Sequence, residues 1–186
     1  MEYTHPFFPL NVGDTRVYES TFYHDGVPPR KWSETIVRRV EVRDRVYYLF
    51  QSDGRNEYMR LGPTGKVWAY VPDERRDELW LDLNSVDGYQ LVEQSSPTGT
   101  GQLPSSAVVD VSVSRKTRSI LGDNVASIAF YFDSKLFMDD ESEIIVSEGL
   151  GVTSFYRALG PFGKLISAQI GDDLYPSFGA SSSKLR

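Results

Sequence analysis

The chain has 186 residues with no Cys, two His and a formal net charge of −6, so there is no disulfide framework, no thiol chemistry and little for a transition metal to bind. A pI near 5.0 sets the mean field against nucleic-acid phosphates. The 40% hydrophobic and 25% charged residues are the balance of a folded globule rather than a disordered chain, and at this length folding removes roughly 70% of the unfolded surface from water, so the core needs no staple.

In chain order, the lead-in His5-Pro6-Phe7-Phe8-Pro9-Leu10 carries two prolines and reads as extended rather than as a central strand. The turn Asn11-Val12-Gly13-Asp14 opens a strand over 15–24, which Asp25-Gly26-Val27-Pro28-Pro29 breaks. Residues 32–42 alternate, with Ile36, Val40 and Val42 on one face and Thr35, Arg39 and Glu41 on the other. Arg43-Asp44 reverses the chain into a strand over 46–50. Asp53-Gly54 is the strongest hairpin signal, because both central positions of the favoured turn need positive φ. Residues 57–61 return, Gly62-Pro63-Thr64-Gly65 turns again, and a strand follows over 67–71. The charged stretch 72–77 fits one helical turn, after which Leu79, Leu81 and Leu83 alternate with Trp80 and Asp82.

Residues 95–106 are the low-complexity stretch and read as a flexible loop. Beyond it Val109, Val111 and Val113 alternate with polar residues, Gly122-Asp123-Asn124 turns the chain, and Ala126, Ile128, Phe130 and Phe132 repeat the pattern. A short strand over 144–146 precedes Gly149-Leu150-Gly151, and residues 152–170 form a last hairpin about Gly160-Pro161-Phe162-Gly163. The tail 177–186 is small and polar and reads as frayed. The sequence therefore predicts one all-β domain over 1–186: an antiparallel meander of about ten strands, closed into a barrel or curved sandwich to hide its edges. A faint internal echo pairs Leu10-Asn11 and Gly13 with Leu83-Asn84 and Gly88.

Several of these pieces have a family likeness. Phe8-Pro9-Leu10, Gly13 and Tyr18 resemble the F-P-L-x-x-G-x-x-W-x-Y opening of a group of uncharacterised bacterial secreted proteins and lipoproteins, which carries an aromatic where this chain has Arg16. Residues 122–132 resemble the group's Gly-x-Phe entry into a long aromatic strand, residues 147–152 resemble its A-x-G-V-G-L-V turn, and residues 165–175 its closing L-x-x-A-x-V-G-G-x-x-Y. The resemblance implies an all-β protein of the bacterial cell envelope, periplasmic or surface, whose leader and lipid-anchor Cys precede these residues. It implies no activity. The absence of Cys by itself suits the cytosol equally.

Chemistry-bearing clusters are sparse, and no enzymatic activity, cofactor or catalytic residue is predicted. Asp139-Asp140-Glu141, with Glu143 and Asp133, offers oxygens for calcium but lacks the alternating spacing of a dedicated loop, so it reads as a solvated turn. No G-x-S-x-G elbow occurs, and His5 and His24 are poorly placed for a triad. Arg30, Lys31, Arg38, Arg39, Arg43 and Arg45 make one basic concentration, diluted by Glu34, Glu41 and Asp44. The aromatics Tyr18, Phe22, Tyr48, Phe50, Trp68, Tyr70, Phe130 and Phe132 are core residues or, if the sheet curves round a cavity, the lining of a site for an apolar small molecule or lipid. The alternative is a protein- or glycan-interaction module using Trp32, Trp68 and Trp80 with the basic strand. No nucleic-acid partner and no transmembrane segment is expected, since no run approaches the ~18 apolar residues of a span.

Overall fold

The computed structural model describes residues 3–21, 28–92, 108–133, 141–157 and 162–176. Within them lies a 13-stranded antiparallel sheet. Its first six strands are β1 (Thr15–Thr21), β2 (Arg30–Val42), β3 (Arg45–Ser52), β4 (Arg55–Leu61), β5 (Lys66–Val71) and β6 (Arg76–Asp82). The next six are β7 (Tyr89–Val92), β8 (Val108–Ile120), β9 (Asp123–Asp133), β10 (Ser142–Ser147), β11 (Gly151–Arg157) and β12 (Phe162–Ile170), and a short β13 (Asp173–Tyr175) pairs with β12. The order β6-β5-β4-β3-β2-β1-β12-β11-β10-β9-β8-β7 is a meander bent into a nearly closed barrel, joined through β1 and β12 and open between β6 and β7.

Tight turns set the registers. Arg43 and Asp44, then Asp53 and Gly54, have positive φ at both central positions, as two-residue hairpins demand. Leu121 and Gly122 do the same before β9, one residue earlier than the glycine pattern predicts. Residues 72–75 make a turn rather than a helical turn, and β7 and β13 are strands that the residue pattern did not announce. The loop 95–106, the tail 177–186 and residues 22–24 of the first predicted strand lie outside the described residues.

Two of the four register shifts among the described residues break the expected alternation. The register of β2 against β3 shifts between Ile36 and Arg38, and a one-residue shift exchanges faces. Ile36 is accordingly fully buried, whereas Val40 pairs with Tyr47 on the opposite face, so the three residues do not share a side. In β6 a shift against β5 between Val67 and Trp68 leaves Trp80 buried beside Leu81 instead of alternating with it.

The main core joins both halves: Ile36, Tyr48, Phe50, Met59, Leu61, Val67, Trp80 and Leu81 from one, Leu91, Val109, Val111, Ile128, Phe130, Phe132 and Val146 from the other. The proline-rich lead-in plugs it, with Phe8 buried 6.0 Å from Trp80 and 6.2 Å from Phe50, ring centre to ring centre. A smaller cluster gathers Tyr18, Leu165 and Ala168 with Ile120 and Leu150. There Gly163 lets the Phe155 ring lie close, since a Cβ on it would stand 2.2 Å from that ring and force it aside. Phe130 is wholly buried in the main core, so Phe130→Ala is expected to cost about 3–5 kcal/mol, read as a lower urea midpoint at unchanged m-value. An unchanged midpoint would mean that the interior is loosely packed.

Candidate functional site

The described aromatics singled out in the sequence do not line one pocket. Tyr48, Phe50, Phe130 and Phe132 come together, but as members of the packed main core, at 9% exposure or less. Tyr18 belongs to the smaller cluster, stacked on Trp32 at 5.4 Å and donating its hydroxyl to the Val152 carbonyl. Trp68 and Tyr70 alternate with the buried Val67 and Ala69 and so face outward. Phe22, His24, Asp139 and Asp140 lie outside the described residues. The three Trp are dispersed: Trp80 in the main core, Trp32 against Tyr18 and Phe155, Trp68 on the outer face. Three members of the basic strand are ion-paired, Arg30 with Asp53 at 2.7 Å, Lys31 with Glu19 at 3.5 Å and Arg45 with Asp77 at 2.5 Å. Among the described residues no group of three or more His, Asp or Glu converges as a metal would require, and no helix is long and apolar enough to cross a membrane.

The outer face of β3–β6 carries the densest polar and aromatic arrangement. Asp77 is its anchor. One carboxylate oxygen accepts from the Tyr47 hydroxyl at 2.5 Å, the other from Arg60 Nη2 and Nε at 2.5 and 3.0 Å and from Arg45 Nη1 at 2.5 Å. Burial pushes its pKa up, but the hydrogen bonds from Tyr47, Arg60 and Arg45 outweigh this and hold the carboxyl below its usual range. Fixed in this way, the Arg60 guanidinium stands 5.2 Å from the Trp68 ring centre and 5.9 Å from that of Tyr47. Tyr70 packs between Tyr47 and Tyr58, at 5.3 and 6.5 Å. Gly62 allows Trp68 to lie close, since a Cβ there would come within 3.3 Å of the indole nitrogen. Nothing in the sequence announces this assembly, because its members are drawn from four strands and meet only through the register.

A polar crossing lies on the inward side near the smaller cluster. Arg16 is buried, donating from Nε to the Leu150 carbonyl at 2.6 Å and from Nη2 to the Pro9 carbonyl at 3.3 Å. Its Nη1 has no hydrogen-bond partner and stands 3.9 Å from Glu34. The turn Gly149-Leu150-Gly151 makes room for it: a Cβ on Gly151 would sit 2.9 Å from Nη2. Across β3 from Glu34 is Glu57, whose carboxyl is pushed up from 4.5 to about 8 by burial and then by the negative charge of Glu34; burial also raises Glu34, against the pull of Arg16.

The third feature is the gap in the sheet. A shallow cavity of about 250 Å³ spans it, lined by Trp68 and by Arg76 to Leu79 of β6 and Gln90 and Leu91 of β7. A second, of about 380 Å³, opens beside it on the outer side of β7–β9 and is lined by Asp87, Tyr89, Gln90, Asp110, Tyr131 and Asp133 among others. At one end the gap is bridged by the Asp82 N–H, which donates to the Tyr89 hydroxyl at 3.1 Å.

No protein-family model matches the chain, and no curated protein matches it. Two solved structures are similar in outline. A protein described as exported, with a YmcC-like fold, from Bacteroides fragilis is 10% identical over 88% of this chain and 98% of its own, with a TM-score of 0.47. A protein described as a lipoprotein from Parabacteroides distasonis is 8% identical over the same shares, with a TM-score of 0.43. At TM-scores below 0.5 neither likeness carries anything to the function of this chain.

The raised Glu57 pKa predicts a pH effect. Between 4.5 and about 8 the folded state holds a proton that the unfolded chain has released, so this group's stabilising contribution is complete below 4.5 and is lost as pH rises through about 8. Glu57→Gln is expected to be more stable than the parent at about pH 9, with a difference that shrinks towards about pH 5. Urea midpoints at the two pH values decide it; an equal difference at both would place Glu57 in solvent.

Proposed function

We propose that the protein is a non-enzymatic interaction module, set in the bacterial envelope as the sequence resemblance implies, which docks a protein partner on the outer face of β3–β6. The observation that carries this reading is the gathering of Tyr58, Trp68 and Tyr70, each half-buried, round an Arg60 held in place by Asp77, over an interior already filled by side chains. Such faces suit recognition. Aromatic rings and Arg offer large contact area at low entropic cost, because their geometry is fixed before the partner arrives. Arg45 and Arg60 share the one carboxylate of Asp77, so the cluster keeps a single net positive charge and favours a partner bound by stacking and hydrogen bonds over a highly charged polymer. Binding rather than catalysis is also favoured by the positions of Glu34 and Glu57, neither of which lines either cavity.

Photo-crosslinking in living cells tests this, with benzoylphenylalanine placed at Tyr58 or Tyr70 and, as the control, at Asn124 on the far hairpin. A discrete protein adduct is expected from the first two positions and none from the third, and Trp68→Ala is expected to lower its yield about tenfold, the scale of a Trp anchor. Adducts of equal yield from all three positions would overturn the reading. A carbohydrate adduct would make the partner a glycan, and a lipid retained in the native mass spectrum and lost on unfolding would move the site to the interior.

A further inference from the structure

The Asp77 assembly spends its polar groups unevenly. Asp77, its side chain 8% exposed, accepts from the Tyr47 hydroxyl, from Arg60 Nε and Nη2 and from Arg45 Nη1. That is about as many hydrogen bonds as a carboxylate has lone-pair sites, so Asp77 has no acceptor left for a partner. The two guanidiniums that feed it are not exhausted. Arg60 commits Nε and Nη2 and keeps Nη1. Arg45, whose side chain is 57% exposed, commits Nη1 and holds further N–H groups at the surface.

Charge agrees with this inventory. Two cations on one carboxylate leave one positive charge. The neighbouring turns, which meet where Arg43 donates to the Arg75 carbonyl at 2.9 Å, do not cancel it, because Arg43, Arg75 and Arg76 are matched there by Asp44, Asp73 and Glu74. A centre that donates and carries one positive charge selects an acceptor with one negative charge, and a carboxylate is that group. A cationic partner is repelled, and it finds the Trp68 and Tyr47 rings already faced by Arg60 at 5.2 and 5.9 Å. The hydroxyl donors of a neutral glycan would find Asp77 saturated.

The source of the carboxylate is narrowed too. Capture of a chain terminus is the work of converging main-chain N–H groups, and β4 and β5 are paired on both sides. The donors offered here stand on long side chains and suit a carboxylate that itself projects on a stem. Next to them, Trp68 and Asp77 also line the cavity of about 250 Å³, whose apolar walls are Trp68, Leu79 and Leu91. Such a space suits one large aliphatic side chain.

We propose that the protein partner docks through an acidic side chain, Glu or Asp, on Arg45 and Arg60, with an adjacent aliphatic residue entering the cavity beside Trp68. This rests on the interaction-module reading and names its partner's chemistry. The carboxylate takes the donors that Asp77 leaves over, on an Arg60 already held in place, and Tyr58 and Tyr70 supply contact area on the same face.

The probe is a pentapeptide of glycine, leucine, glutamate, leucine and glycine, capped at both ends. It is titrated into the full chain beside its glutamine and lysine counterparts and read by the side-chain Nε–H signals of Arg45 and Arg60 in nitrogen-15 NMR. Saturable shifts are expected with the glutamate peptide, and affinities about tenfold or more lower with the other two, the scale of a charge-assisted contact. Arg45→Gln leaves Arg60 and Asp77 as a balanced pair and is expected to bring the glutamate and glutamine peptides to nearly equal affinity. No saturable binding, equal binding of the three peptides, or discrimination undiminished in Arg45→Gln would overturn the carboxylate contact. So would a glutamine peptide with a free C-terminus that binds where the capped glutamate peptide does not, which would assign the contact to a chain terminus. If the peptides fail while the adducts at Tyr58 and Tyr70 persist, the acidic partner alone is wrong; if both fail, the interaction module falls with it.

Discussion

The ladder between β1 and β12 is the constraint on which the rest of the molecule depends. It sets Thr15 against Gln169 and Thr21 against Phe162, and it alone turns two open meanders, β1–β6 and β7–β12, into one curved sheet. Closing so long a loop is entropically costly and kinetically late, so the junction is reinforced by contacts beyond the ladder. Asp14 is buried there: one oxygen accepts from the Gly171 N–H at 2.8 Å across 157 residues of chain, and the other from the Asn11 backbone and side chain. Its carbonyl accepts from Ile36 at 2.9 Å. One aspartate, through its carboxylate and its main-chain carbonyl, therefore ties the first turn, the second strand and the last turn together.

Closure at β1 and β12 dictates where function can reside. With that junction made, both halves turn the same set of residues inward, and the space fills: Ile36, Val67, Leu81, Ile128, Phe130 and Val146 are wholly buried. The strands nevertheless carry aromatics in both registers. Tyr48 and Phe132 enter the core while their neighbours Tyr47 and Tyr131 lie on the other face, Tyr47 covered there by its neighbours and Tyr131 40% exposed. Arg16 is the counter-example, a buried cation where the opening that this chain resembles has an aromatic. Its guanidinium spends two donors on the carbonyls of Leu150 and Pro9, holding the lead-in that plugs the barrel, and the carboxyls of Glu34 and Glu57 that accompany it tie stability to pH.

Much of the architecture is legible locally because it is specified locally. Asp53-Gly54 is a pair suited to the two positive-φ positions it fills, and the alternation at 109–113 and 126–132 gives β8 and β9 with the correct inward face. Bulges are not legible in that way. At Val37 and at Trp80 the register shifts because tertiary packing rewards it, and no residue type marks the place. Phe8 looks like part of an irregular lead-in, and its burial depends on Trp80 and Phe50, far off in sequence. The outer site is hidden for the same reason: Arg45, Tyr47, Arg60, Trp68 and Asp77 share a face only once four strands are in register. The echo of residues 10–13 in 83–88 gains a structural counterpart. Each segment leads into the first strand of its half through a glycine of positive φ, Gly13 at 100° and Gly88 at 94°. Each glycine also lies against a carbonyl of the following strand, Gly13 donating to Ile36 O and Gly88 close upon Val111 O.

That pseudo-repetition explains why a gap exists at all. Where the halves meet at β1 and β12 the ladder is complete, but at β6 and β7 the chain passes directly from one half to the other, and the short connection carries a positive-φ glycine and a side-chain bridge instead of a hairpin. An unpaired edge is a hazard, since any extended chain can add to it. Here the hazard is controlled. Glu78 points inward from edge strand β6, buried at 6% exposure and paired with Arg76 at 2.7 Å, and a hydrophobic strand laid along that edge would desolvate the pair without replacing its contacts. The Asp82 N–H at one end is already occupied by Tyr89. Indiscriminate pairing is therefore penalised at both ends of β6, while the middle of the gap keeps its apolar walls. The meander can therefore stay open between β6 and β7 without inviting indiscriminate strand addition.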